Sequence, residues 1–116
     1  MQIITIKREQ DEKIDYLEKI AKQIVDKIYK LKHGEGLGFV LRDFSPWALS
    51  LIVDYVLMDD RFWNSIQLTY DEDLDNKIDI IRIQTLEGIL QIVVRYCLID
   101  YNNDKYIYYI HVWRVR

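Results

Sequence analysis

The C-terminal quarter constrains the fold most. Residues 89–101 and 106–116 are two long alternating runs joined by Asn102-Asn103-Asp104-Lys105, the pattern of a β-hairpin with a short loop. In the first run Leu90, Ile92, Val94, Tyr96 and Leu98 share one face. Ile89, Val93, Cys97 and Ile99 share the other with Gln91 and Arg95. In the second run Ile107, Tyr109, His111 and Trp113 have one parity. A sheet covered by helices on one side ordinarily turns a polar face to water. Here both faces carry large side chains, so each asks for a cover. In so short a chain the simplest second cover is another copy, in a closed two-fold dimer.

The first cover is legible upstream. In residues 10–32, Ile14, Leu17, Ala21, Ile24, Ile28 and Leu31 recur at helical spacing, widened by Ile20 and Val25. Asp15–Lys19, Glu18–Lys22 and Asp26–Lys30 are set for i,i+4 support on the opposite side. A coiled-coil seam is the rival reading, but the sheet needs covering and three heptads are few. Lys30, Lys32 and His33 suit the carbonyl end, and Gly34 suits a left-handed cap. Ser45-Pro46 opens a second helix as cap and first residue. From Trp47 to Met58 that helix is apolar on almost every side, interrupted only by Ser50 and Asp54. This excess predicts that one side meets another subunit.

The remaining strands are shorter. Residues 2–7 and 39–41 are weak candidates. Ile66, Leu68 and Tyr70 alternate, DEDLDNK turns, and residues 77–86 return. Ile78 and Ile80 differ in parity from Ile81 and Ile83, which predicts a bulge or two-sided burial there. Glu87-Gly88 turns again. With 116 residues, 50% hydrophobic and 30% charged, the chain reads as one ordered domain. The expected fold is two-layer α+β: two main helices packed on a four- to five-stranded, mainly antiparallel sheet. One cysteine excludes an internal disulfide framework, and no apolar run reaches membrane-spanning length. The opening MQIITIKREQ lacks the marks of a signal peptide, so an intracellular, reducing compartment is expected.

Net charge is -3, which argues against a globally basic surface. Acids concentrate in residues 54–79, where Arg61 and Lys77 are the bases. Asp59, Asp60, Asp71, Glu72, Asp73 and Asp75 are therefore candidates for an acidic surface that docks a basic protein. Arg95, His111, Trp113, Arg114 and Arg116 are candidates for nucleic-acid contact, because aromatics stack bases and arginines meet phosphates. Dimer contacts are sought on two surfaces: Trp47, Leu51, Tyr55 and Met58, or Val93, Cys97 and Trp113.

Catalytic motifs are weak. Gly34-Glu35-Gly36-Leu37-Gly38 follows a helix rather than a strand, and reads as a cap and turn rather than a phosphate loop. A calcium loop counted from Asp71 would need Gly and Glu where Asn76 and Arg82 stand. His33 reads as a cap residue, His111 as a strand residue between aromatics, and Cys97 as inert core. No catalytic residue, metal ligand or cofactor is assigned. A magnesium-dependent nuclease using aspartates is the enzymatic alternative.

Eighteen isoleucines, nine tyrosines and two alanines suit a heat-adapted archaeal or archaeal-virus gene. The ending, with a long strand at Gln91–Tyr101, the Asn-Asn-Asp-Lys turn and His111, Trp113 and Arg114, resembles the C-terminal hairpin of the type I-D anti-CRISPR family of archaeal rod-shaped viruses. The resemblance covers about a quarter of the chain. It implies a small, acidic, homodimeric α+β protein without enzymatic activity, in the cytoplasm of an archaeal host. It also implies a host protein as target, in that family the large Cas10d subunit. The leading expectation is an interaction protein working through the acidic surface; the alternative is nucleic-acid binding through the C-terminal aromatics and arginines.

Overall fold

The computed structural model describes residues 2–62, 67–73, 78–85, 88–100 and 105–115. Along the chain run β1 (Gln2–Lys7), α1 (Ile14–Tyr29), β2 (Gly36–Arg42), α2 (Pro46–Leu57), a 3-10 turn (Asp60–Phe62), β3 (Gln67–Asp73), β4 (Ile78–Thr85), β5 (Gly88–Asp100) and β6 (Lys105–Arg114). The strands form one sheet in the order β1-β2-β6-β5-β4-β3. β1 and β2 are parallel and connected through α1; the other neighbours are antiparallel. Both helices pack on one face, so the two-layer α+β expectation holds. The sheet has six strands where four to five were expected, because both weak N-terminal candidates are full members.

Alternation decides which side chains meet the helices. Leu37, Phe39 and Leu41 of β2, Tyr108, Ile110 and Val112 of β6, and Leu90, Ile92 and Val94 of β5 are buried in one cluster with Ile81 and Ile83 of β4. Leu17, Ala21, Ile24 and Ile28 of α1 and Leu49, Ile52 and Val56 of α2 complete it. Each such large side chain contributes about 1.5–3 kcal/mol by leaving water.

The helix boundaries are tighter than the apolar spacing predicts. α1 begins at Ile14, after Lys13, which provides no side-chain cap. It ends at Tyr29, where the Lys30 and Leu31 amides donate to Lys27 O and Ile28 O and tighten the last turn. Gly34 does adopt a positive φ of 82°, but in the turn beyond the helix. α2 begins as expected: the Ser45 hydroxyl accepts from the Ala48 amide at 3.1 Å, and Pro46 occupies the first turn. The Ser45 amide in turn donates to Glu12 Oε2 at 2.8 Å, tying the entry of α2 to the segment before α1.

α2 is covered mostly by its own chain. Ala48, Leu49, Ile52 and Val56 are buried. Leu51, Val53, Tyr55 and Leu57 are half-buried against the core. What faces outward is a strip with Trp47 and Met58 at its ends, 56% and 61% exposed, and Ser50 and Asp54 between them. An almost uniformly apolar helix is thus accommodated by the sheet beneath it and α1 beside it.

One expectation for the strands needs correction and another is decided. β3 continues to Asp73, so the acids of DEDLDNK begin in a strand; residues 74–77 lie outside the described residues. No bulge interrupts β4: its register with β3 and β5 is continuous. Of the two expected alternatives, two-sided burial accounts for the parity change, with Ile81 and Ile83 in the core and Ile80 half-buried on the opposite face. The irregularity lies between Leu98 and Asp100 of β5, near the hairpin end. The hairpin loop, residues 101–104, is outside the described residues.

Candidate binding face

The sheet face turned away from the helices is uncovered among the described residues. At its centre β6 places Tyr109, His111 and Trp113 on one parity. Their rings lie 6.4 Å apart, Tyr109 to His111 and His111 to Trp113, and are parallel within 22° and 20°. Strand alternation creates this ladder: every second residue returns to the same face. Tyr109 and His111 are half-buried, and Trp113 is 40% exposed.

The neighbouring strands set the surroundings. On β5, Arg95 lies opposite Tyr109, Val93 opposite His111 and Gln91 opposite Trp113. On β2, Val40, Gly38 and Gly36 take the corresponding positions. A Cβ on Gly38 would lie 3.7 Å from His111 Nδ1 and 3.6 Å from Ile3 Cγ1. Ile3 and His111 therefore flank the Gly38 position at ordinary contact distance.

Charge is segregated. The open face carries Lys7, Arg42, Arg82 and Arg95, by register with one another's neighbours, and Asp71 is the acid on it among the described side chains. The Arg82 Nε donates to Gln91 Oε1 at 3.1 Å, which positions that guanidinium beside Trp113's cross-strand neighbour. Lys7 lies 4.0 Å from Asp43. An overall acidic chain thus presents a locally basic, aromatic face.

The predicted nucleic-acid residues divide between two faces. Arg95, His111 and Trp113 belong to the open one. Arg114 has the opposite parity and is half-buried; its Nη1 donates to Leu31 O at 2.9 Å. Its backbone also accepts from the Gly34 amide and donates to Glu35 O. Arg114 therefore fastens the end of β6 to the α1–β2 connection. Arg116 lies outside the described residues.

The acidic candidates also divide. Asp59 is 16% exposed and held by Arg61, with Nε to Oδ1 at 3.0 Å. Hydrogen bonding from Arg61 holds the Asp59 carboxyl below the usual carboxylate range, against the opposing effect of burial. Arg61 also reaches Asp26 at 3.0 Å and lies over the Tyr29 ring, 4.7 Å from its centroid. Asp60 is exposed at the start of the 3-10 turn. Asp71 and Glu72 are exposed on the edge strand β3; Asp73 follows them in the strand, and Asp75 is outside the described residues.

Of the dimer candidates, Val93 and Trp113 share the open face, and Cys97 has the same parity, opposite Ile107. Trp47 and Met58 are exposed on α2, whereas Leu51 and Tyr55 pack partly into the core. Sequence reasoning missed the Tyr109 contribution to the site, although its parity with His111 and Trp113 was visible. It also missed that Gly36 and Gly38 lie beside Trp113 and His111, which follows only from the β2–β6 register.

Among the described residues, no three His, Cys, Asp or Glu side chains gather as a metal site, and no helix is long and apolar enough to cross a membrane. No protein-family model, curated protein or solved structure matches the chain.

Proposed function

We propose that the open sheet face binds single-stranded nucleic acid. The observation that carries this reading is the Tyr109–His111–Trp113 ladder, three parallel rings bordered by Arg95 and Arg82 on an uncovered sheet. A nucleotide has an apolar ring face and a charged backbone. Aromatic side chains recognise the first and guanidinium groups the second, without reading sequence. A duplex keeps its base faces inside its own stack, so the ladder selects single strands.

Fluorescence anisotropy with a labelled oligothymidylate tests this. Trp113→Ala should weaken binding roughly 5- to 150-fold, because stacking one base contributes about 1–3 kcal/mol. Arg95→Ala should reduce the salt slope by about one unit. Unchanged affinity in Trp113→Ala, or equal affinity for duplex, would reject the proposal.

A protein target is the second reading. It is favoured by Asp71 and Glu72, both exposed and adjacent on an edge strand where charge can steer a basic partner. Affinity capture with a nuclease-treated control separates the readings. A stoichiometric protein that survives nuclease and is lost in D71N/E72Q supports the protein target.

A further inference from the structure

The two edges of the sheet, uncovered among the described residues, differ in charge. β1 forms one edge and β3 the other. Between β1 and α1 lies a cleft of about 380 Å³, with Ile4 and Phe39 among its apolar lining. Lys19 and Lys27 of α1 also line it and outnumber its acid, Glu9. Lys19 and Lys27 are two helical turns apart on the same side of α1, and both are exposed. A cleft between a helix and a free strand edge can take an extended segment as an added strand. Main-chain hydrogen bonds hold such a segment, and alternate side chains enter the cleft. The lysines favour acidic side chains at those positions.

The chain carries such a strand at its other edge. Thr69, Asp71 and Glu72 of β3 are exposed. Glu72 lies opposite Asp79, which lies opposite Val94 of the core, so Glu72 has the parity of the helix-covered face. If β3 of another copy joined β1 with both helix layers on the same side, Glu72 would turn toward Lys19 and Lys27. β1 and β3 are also similar in length, at six and seven residues.

We infer that the cleft between β1 and α1 receives the acidic β3 edge of a second copy, joining the sheets head to tail. The contact uses different surfaces on the two copies, so it is heterologous and repeats along the assembly. It leaves the aromatic face free and stands independently of nucleic-acid binding.

Light scattering of the nucleic-acid-free protein tests the inference. At low salt the weight-average mass should rise about twofold or more with concentration, and high salt should reverse the rise because exposed charge pairs are screened. K19Q/K27Q and D71N/E72Q should each remain monomeric. Mixed together they should form a one-to-one complex and stop there, because one supplies an intact acidic edge and the other an intact cleft. That pairing also establishes that both variants are folded. A wild-type protein that stays monomeric throughout would overturn the inference. So would undiminished self-association in D71N/E72Q, or a wild-type monomer that takes an acidic peptide into the cleft.

Discussion

One sheet carries two faces with opposite designs. Toward the helices, β5 and β6 present Leu90, Ile92, Val94, Ile110 and Val112, all buried. Away from them the same strands present Gln91, Val93, Arg95, Tyr109, His111 and Trp113, which are half-buried or exposed. The covered face uses aliphatic groups that interlock with helix side chains. The open face uses broad rings and guanidinium groups, which cover the sheet themselves. Adjacent residues of one strand therefore differ in setting: Ile110 and Val112 are buried in the core, whereas Tyr109, His111 and Trp113 lie on the open face.

The largest expected effect separates two neighbours. Ile110→Ala should destabilise the protein by about 2–5 kcal/mol, the usual range for emptying a core site. His111→Ala should change stability by less than about 1 kcal/mol and weaken oligothymidylate binding instead. Denaturant melts and anisotropy on the same samples make the comparison. If both variants lose stability equally, the division between faces fails.

The arginines sharpen it next. Arg114→Ala should lose about 1–3 kcal/mol of stability, because its charged hydrogen bond to Leu31 O fastens two elements. Arg95→Ala should leave the melting midpoint nearly unchanged while lowering nucleic-acid affinity.

The smallest effect concerns pH. The folded-state pKa of Asp59 is depressed, mainly by hydrogen bonding from Arg61. Its contribution is therefore present at neutral pH and above the unfolded carboxylate range. It is lost as pH falls through the folded value. The pair is solvent-accessible at Arg61, so its worth is within about 1 kcal/mol. Asp59→Asn should flatten a small part of the acid limb of the stability–pH curve, measured by denaturant melts. An unchanged limb would show that the ion pair does not support folding.

Local pattern made much of this fold legible. Helical spacing located α1, Ser45-Pro46 located the start of α2, and alternation assigned the two faces of β5 and β6. What sequence could not supply depends on pairing between distant segments. The six residues of β1 acquire their place only by parallel pairing with β2, and β2 only by lying beside β6. Gly38 becomes a neighbour of the ring ladder because it is set opposite His111. Arg114 looks like a partner of Trp113 in sequence, yet strand alternation turns it to the other face and to Leu31. The apolar excess of α2 is largely used by α1 and the sheet around it, with Trp47 and Met58 left exposed.

The most direct measurement is an amide chemical-shift titration of the labelled protein with unlabelled oligothymidylate. The largest changes should fall on Val93, Arg95, Tyr109, His111, Trp113 and Gly38, with α1 and α2 little affected. Changes centred on the helices or on the β3 edge, or no changes at all, would contradict a nucleic-acid site on the open sheet face.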